Sequence, residues 1–527
     1  MRENRPVLIV GAGPTGLTAA LELARFGIPV RLVDQYTEPS TTSRALAVQS
    51  RTVELMQQRG VADEMVALGN KGYAAALYDD TAPLGKVDLH AIDSRFNFVL
   101  LLSQSDTERI LRDRLMQAGV QVERTTQMVA FAQLDGPAAG VRATLRKADG
   151  TVEELDAAYL VDAEGAHSSA RHTLSLAFEG KSLPNTYLIA DLYLDGAVPE
   201  DELSICIPEA GLVAAFPMGK RRFRVLATER HDVPHDAPPP TLDDMQQAWS
   251  RSSPIPATFR DLQWRSRFRI NSRALSQLRH GSVFFAGDAA HIHSPAGGQG
   301  MNTGMQDAIN LGWKLALAYR GLASDALLDT YDAERLPVIR QLVSTTERAT
   351  DLFNSDSHFV HTLLRHMLPV ALHIDAVRRK GAAIVSELGV HYRASPLNGQ
   401  GAGTLRAGER FPDVAVTDDG ATRMLDLLDP TCFTVLVTGT AVLHMTQYRE
   451  LFVHRHVPVP GAALKAALGG AAVAIVRPDG YLLCAGSAAN VRTQFDAWLA
   501  RWLSGPASSH PTHAAPPDPA GESSAPR

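Results

Sequence analysis

Three glycines, Gly11, Gly13 and Gly16, follow directly on the apolar run Pro6 to Val10 and lead into apolar residues at helical spacing (Leu17, Ala20, Leu21, Ala24). This pattern suits a pyrophosphate. Gly11 permits a tight turn, Gly13 lets phosphates reach the backbone, and Gly16 lets helix and strand pack closely. Pro14 and Thr15 head the helix, whose free N–H groups and partial positive charge favour an anion. A second apolar strand, Val30 to Val33, ends in Asp34, placed to accept hydrogen bonds from ribose hydroxyls. Strand, turn, helix and strand form a β-α-β unit for a dinucleotide, and this unit alone leaves FAD and NAD equally open.

A second glycine segment narrows the choice. The buried-strand pattern Gly281 to Ala286 runs into Gly287-Asp288-Ala289-Ala290-His291, and Pro295-Ala296-Gly297-Gly298-Gln299-Gly300-Met301-Asn302 then opens a helix through Tyr319. Such a segment suits an extended ligand with a ribityl chain and a ring. Asp288 can bond a ribityl hydroxyl. N–H groups near Gly300, Met301 and Asn302 can face the N1–C2=O edge of a flavin, where reduction places negative charge. FAD is therefore the expected cofactor.

The elements that carry these motifs sit in a chain of 527 residues, too long for one ordinary core, so two or three domains are expected. Hydrophobic residues make up 45% and charged residues 20%, within the globular range. A net charge of -6 and a pI near 6.3 argue against nucleic acid or an anionic membrane as partner. The short basic piece Lys220-Arg221-Arg222 reads as a solvated strand end. Cys206, Cys432 and Cys484 form no C-x-x-C pair, which fits reduced thiols. No run reaches the ~20 apolar residues of a membrane span. The chain enters an apolar strand almost at once, leaving no room for a signal peptide, so a cytoplasmic protein is expected.

Taken together, the Gly11/Gly13/Gly16 turn, Asp34, the Gly287–His291 segment and Pro295 with Gly297–Asn302 resemble the class A flavoprotein aromatic hydroxylases, of the p-hydroxybenzoate and phenol hydroxylase kind. The phenylpropionate and polyketide-tailoring hydroxylases share the Gly-Gly-Gln-Gly-Met-Asn form. The resemblance covers roughly the first 350 residues. It implies FAD as cofactor, NADPH or NADH as co-substrate, and a small aromatic substrate hydroxylated with O2 through a flavin C4a-hydroperoxide. It further implies that Arg44 lies close to the FAD phosphates and that Gln104 contacts the flavin side. A homodimer is compatible with it. One departure concerns the family's Asp-Gly motif, which here reads Asp162-Ala163-Glu164-Gly165. Glu164 takes the acidic position with one extra methylene, and Asp162 stands nearby as a substitute. There is no second dinucleotide fingerprint, in keeping with a nicotinamide that docks without a domain of its own.

The fold class expected is α/β: a Rossmann-like FAD-binding domain (residues 1–175 and 274–400) with an inserted substrate-binding β-sheet (176–273) and a C-terminal thioredoxin-like α/β domain (401–504). A tail rich in Pro, Ser, Ala and Gly (505–527) is expected to be disordered. Strands are predicted at Tyr187–Leu194, Leu212–Phe216, Phe223–Glu229 and Trp264–Ile270, with Tyr187, Asp191 and Phe216 as pocket candidates beside Pro295. Arg265, Arg267 and Arg269 share one face, either solvated or meeting an anion. His358, His361 and His366 lack a third ligand, and His291 and His293 belong to the glycine segment, so no metal site is expected. Two alternatives share the cofactor motifs: another FAD oxidoreductase of the same fold (a dehydrogenase or a halogenase), and a non-catalytic flavin-binding protein.

Overall fold

The computed structural model describes residues 5–504, apart from 40–44, 136–138, 210, 230–233, 235–236, 295–296, 354–356, 444 and 446. The apolar run Val7–Val10 is a fully buried strand at the heart of a six-stranded sheet. It lies parallel to Val30–Val33 on one side and to Tyr159–Asp162 on the other, with Val10 opposite both Val33 and Asp162. Beyond Tyr159–Asp162 comes Val283–Phe285, again parallel. Strands buried on both faces need apolar residues at every position, which accounts for runs such as Val-Leu-Ile-Val. Because the chain leaves Val7–Val10 toward one neighbour first and returns later to the other, the strand order reverses there. In sheets of this kind the crevice outside the carboxyl ends of the strands at such a switch point is the usual ligand site.

Glycine is obligatory at the head of the crevice. Gly11 has φ +100°, and a Cβ there would lie 2.3 Å from the Ala163 carbonyl oxygen; one at Gly16 would lie 1.9 Å from the Gly11 oxygen. The helix Pro14–Arg25 thus sits directly on the turn and packs across the helix Gly300–Tyr319.

An eight-stranded sheet stands against this unit, with the long antiparallel strands Glu179–Gly196 and Ala257–Ala274 paired near one edge. Its two faces follow from side-chain alternation. Leu188, Ala190, Leu192 and Leu194 pack with Trp249 of the helix Leu242–Ser252, while Tyr187, Ile189, Leu226 and Ile270 form a cluster on the other face. Three strands come from outside the expected 176–273 span: His291–Ile292 pairs with Ala257–Ala274 at one edge, and Ala74–Tyr78 and Pro83–Asp88 complete the other by parallel pairing of Ala74–Tyr78 with Glu202–Cys206. The small residues Ala74, Ala75 and Ala76 carry no alternation signal, so tertiary pairing supplies what local sequence does not.

The C-terminal sheet runs in the order Phe452–Val457, Phe433–Thr438, Val473–Val476, Leu482–Gly486, covered by the helix Ala488–Trp502. Its core is aromatic, with Phe495 stacked on Trp498 at 5.7 Å and Phe433 edge-on to Trp498 at 5.2 Å. Buried charges join this unit to the first. Glu334, on the long helix Asp325–Phe353, accepts from Arg477 at 2.5 and 2.9 Å, from Lys314 at 2.7 Å and from Asn310 at 2.7 Å. Arg477 also meets Asp479, and Arg51 donates to the Asp479 carbonyl at 2.9 Å. Burial would raise Glu334, but Arg477 and Lys314 hold it well below the usual carboxylate range. Lys314 is lowered by burial to about 8.

Each charge here depends on the others, because an unpaired one would be stranded away from water. Replacing Arg477 with Met is therefore expected to cost about 3–5 kcal/mol of stability, read as a shift of the urea unfolding curve. A loss below about 1 kcal/mol, the scale of an exposed ion pair, would show that the network is not closed.

Candidate functional site

Three turns meet in the crevice. After Val7–Val10, the Ala12 N–H donates to Asp34 Oδ2 at 2.8 Å and the Tyr36 N–H to Asp34 Oδ1 at 2.8 Å, with Arg124 Nη1 3.5 Å away. Asp34, 7% exposed, thus has both oxygens engaged and ties the glycine turn to the next strand. After Val283–Phe285, the turn Gly287–Ala289 leaves Asp288 exposed. A Cβ on Gly287 would lie 2.5 Å from Thr15 Oγ1, and one on Gly304 would lie 2.4 Å from the same oxygen. Two glycines therefore make room for Thr15 where both helices and the turn converge.

One carboxylate holds the Gly287 turn. Asp307, fully buried, accepts from the Gly287 N–H at 3.1 Å and His291 Nε2 at 2.7 Å through Oδ2, and from Arg335 Nε at 2.6 Å through Oδ1. Arg335 also donates to the Thr303 carbonyl at 3.1 Å and to the Tyr392 hydroxyl at 3.0 Å. Burial opposes the charge of Asp307, but Arg335 and His291 outweigh it and keep the carboxyl low. Asn302 secures the next loop: it accepts from the Gln49 N–H at 2.8 Å and donates to the carbonyls of Ala47 at 2.9 Å and Gly298 at 3.0 Å. Gly298, at φ +64°, passes so close to Ala47 that a Cβ would lie 2.9 Å from its methyl. The Asn302 side chain is thus committed to the loop, while the first-turn backbone at Gly300 and Met301 stands at the crevice, half-buried.

The third turn follows Tyr159–Asp162. Asp162 is fully buried, with Oδ1 accepting from the Glu164 N–H at 2.9 Å and Oδ2 from the Ser168 hydroxyl. Burial, and then the Glu164 carboxylate beside it, push Asp162 up to about 7. Glu164 turns back on its own segment, accepting from the Ser169 N–H at 2.8 Å and hydroxyl at 2.7 Å at the head of the short helix Ser169–Thr173. Arg171 donates to the carbonyls of Ala289 at 3.0 Å and Ala166 at 2.6 Å, bracing this turn against the Gly287 turn.

Gln104 opens the helix Gln104–Gln117 and lies against Ala45, its backbone N–H donating to the Ala45 carbonyl at 3.2 Å. Arg44 and Pro295 lie outside the described residues. Tyr187 is 2% exposed and stacks on Phe268 at 5.8 Å. Asp191 forms a two-pronged ion pair with Arg224 at 2.7 and 2.9 Å, and Arg224 reaches the Ala45 carbonyl at 3.2 Å while lying over Trp264. The structure therefore gives Asp191 a bracing contact rather than a free carboxylate, with Phe216 half-buried on the same sheet face. Of the three arginines on the opposite face, Arg267 pairs with Glu229 at 2.8 Å, Arg265 donates to the Pro240 carbonyl and Arg269 to the Thr186 hydroxyl.

Sequence reasoning passed over Asp307, Arg335 and Arg224, although a charge seven residues into the apolar Gly300 helix is itself a sign of a buried partner. A cavity of about 490 Å³ lies elsewhere, between Pro83–Asp88 and the helices His358–His373 and Asp375–Ser386. Lys86 and Asp88 on its wall are already paired with Glu202 and His90. Among the described residues no group of three or more His, Cys, Asp or Glu could hold a metal ion, and no helix is long and apolar enough to cross a membrane.

The family described as FAD binding domain matches residues 4–346, and the aromatic-ring hydroxylase C-terminal family matches residues 404–506. The chain belongs to the FAD-dependent aromatic-ring hydroxylases. It is 35% identical to the 6-methylpretetramide 4-monooxygenase of Streptomyces rimosus, over 92% of each chain. It is 31% identical to the pentachlorophenol 4-monooxygenase of Sphingobium chlorophenolicum, over 84% of this chain and 82% of the relative. Among solved structures, the anhydrotetracycline hydroxylase from Streptomyces rimosus superposes with a TM-score of 0.77 at 30% identity, over 95% of this chain and 99% of that one. The residues present fit the cofactor of this family: glycines bring the turns close without side chains between them, Asp288 is exposed, and the Gly300 helix begins beside them.

Asp162 gives a prediction with a definite sign. A carboxyl raised in the folded state binds its proton more tightly there than in the unfolded chain. Stability is therefore highest at low pH and is lost as pH rises from the ordinary carboxylate value through about 7. Asp162→Asn removes this loss, so its melting temperature is expected to exceed the wild type's increasingly from pH 5 to pH 8. A gap independent of pH would contradict the assignment.

Proposed function

We propose that this chain is an FAD-dependent monooxygenase that hydroxylates a phenolic or polycyclic aromatic substrate with O2 and NADPH or NADH. The observation that carries it is the braced Gly287–Asp288 turn beside the glycine turn of Gly11, Gly13, Pro14, Thr15 and Gly16 at one switch point, in a chain of this family. The glycine turn would take the pyrophosphate, with Asp34 shaping the turn and Arg44 beside it. Asp288 would receive the ribityl chain. Gly298, Gly300, Met301 and Asn302 would face the flavin ring, with Pro295 and Gln104 at its sides. Bound FAD, reduced by the nicotinamide, supplies the activated oxygen.

The chain's own residues supply placement and shielding. The first-turn N–H groups of the Gly300 helix stabilise negative charge at the ring edge. Tyr187, Phe216, Trp264 and Phe268 form an aromatic wall on the sheet face braced to Ala45 by Arg224, and such a wall suits a flat ring substrate. Glu164, folded back on Ser169, would act on the nicotinamide only through the turn it shapes.

This reading keeps the domain division expected from the sequence, with Ala74–Tyr78 and Pro83–Asp88 added to the substrate sheet. It also takes residues 401–504 as thioredoxin-like. The sheet order, with the second strand parallel at one edge and two antiparallel strands on the other side of the first, supports that view. Burial raises Cys484 to about 12, and no cysteine stands beside another, so the unit serves as support rather than as a redox partner.

The test is NAD(P)H oxidation by FAD-loaded protein across a panel of phenols and polycyclic hydroxyaromatics, with oxygen uptake and product mass followed together. At least one compound is expected to accelerate oxidation and gain a single oxygen atom. Flavin-loaded protein whose oxidation rate no aromatic compound alters, and which yields no oxygenated product, would overturn the proposal.

A further inference from the structure

His293 follows the short strand His291–Ile292, five residues beyond Asp288, and the reading above gives it no task. Its Nδ1 lies 2.7 Å from the Ser294 carbonyl oxygen. A carbonyl only accepts, so Nδ1 carries the proton, and Nε2 of the neutral ring presents a bare lone pair. That Nε2 is buried and has no hydrogen-bond partner among the described residues. Buried polar atoms of folded proteins nearly always have a partner, and an orphaned one calls for an explanation.

Its position supplies one. A Cβ placed on Gly300 would lie 3.4 Å from His293 Nε2, so the ring sits against the first turn of the Gly300 helix. Gly300 and Gly304 are one turn apart and share a helix face. Gly304 on that face lies against Thr15 and Gly287, a Cβ there reaching the Gly287 Cα at 3.0 Å. The helix face against which Nε2 lies is therefore the one packed on the two turn residues Thr15 and Gly287. There the helix offers N–H donors at its free end, and His293 adds an acceptor next to them. Burial, and then His291, lower His293 to about 4, so the ring remains a neutral acceptor at physiological pH.

We infer that His293 is a ligand-contacting residue of the crevice whose Nε2 accepts a hydrogen bond from a hydroxyl, either a ribityl hydroxyl of the flavin or the phenolic hydroxyl of the substrate. The inference rests on the FAD reading proposed above. Both sources share the same chemistry, an O–H donor presented to a bare imidazole nitrogen at the helix end.

The experiment compares His293→Phe and His293→Gln with the wild-type chain. The FAD dissociation constant is read by flavin fluorescence quenching, and 2-naphthol binding to the FAD-loaded protein by its flavin difference spectrum. If the ribityl chain is the donor, His293→Phe binds FAD about tenfold more weakly and His293→Gln, which keeps an acceptor, recovers most of the loss. If the substrate is the donor, FAD affinity holds and 2-naphthol binding weakens about tenfold in His293→Phe. Both affinities within twofold of wild type would overturn the inference. As a check that needs no variant, the 15N shift of His293 Nε2 in the wild-type chain is expected to move on adding FAD or 2-naphthol, and invariance to both would also overturn it. A wild-type chain that takes up no FAD would instead bring down the functional reading itself, a result distinct from the other outcomes.

Discussion

Glu334 and Arg335 are neighbours on one helix, carry opposite charges, and both point into the interior. Arg335 holds Asp307, and through it the backbone of Gly287; Glu334 holds Arg477 of the C-terminal unit and Lys314 of the Gly300 helix. Charges buried in this way are tolerated only when each has its partner. The position of the Gly287–Asp288 turn is therefore tied to the packing of two helices, Gly300–Tyr319 and Asp325–Phe353, and of a sheet more than a hundred residues further along the chain. The C-terminal unit takes part in this network: Tyr392 and Tyr481, 4.3 Å apart, pack against the same arginines and close it from the far side.

Around that constraint the crevice is made mostly of backbone. Glycines bring turns together that side chains would hold apart, and the nearby carboxylates secure those turns. Asp34 closes the Gly11 turn, Asp162 and Glu164 shape the turn after Tyr159–Asp162, and Asp307 fixes the Gly287 turn. Asp288 differs in standing exposed. The eight-stranded sheet is joined to this assembly by the Asp191–Arg224 pair, whose guanidinium reaches Ala45. Arg224 thereby links the aromatic face of that sheet to the segment at Ala45.

The glycine turns, the strands Val7–Val10, Val30–Val33 and Val283–Phe285 and the Gly300 helix were legible in the sequence, because each is dictated locally by φ, by close approach or by apolar runs, whereas the strand Tyr159–Asp162 between two of them was not. The sheet faces at Tyr187 and Asp191 followed from simple alternation. What local reasoning did not reach was where each carboxylate spends its oxygens. Asp34, Glu164 and Asp191 were read as groups open to ligand, yet each is engaged by backbone or arginine. Those partners are set by tertiary packing, as are the strands at residues 74–88. Arg335 lies 28 residues beyond Asp307 and on another helix, and no spacing rule connects them. Arg44, Pro295 and the expected disordered tail fall outside the described residues.

The most direct measurement is the FAD dissociation constant of Asp307→Asn beside that of the wild-type chain, with far-UV circular dichroism confirming that both are folded. The amide keeps the shape but gives up the charge that binds Arg335, His291 and the Gly287 N–H together. If this carboxylate holds the cofactor turn, FAD binding weakens by about tenfold or more while the fold persists. An affinity within twofold of wild type in the folded variant would show that the turn stands without it, and that the buried network serves stability alone.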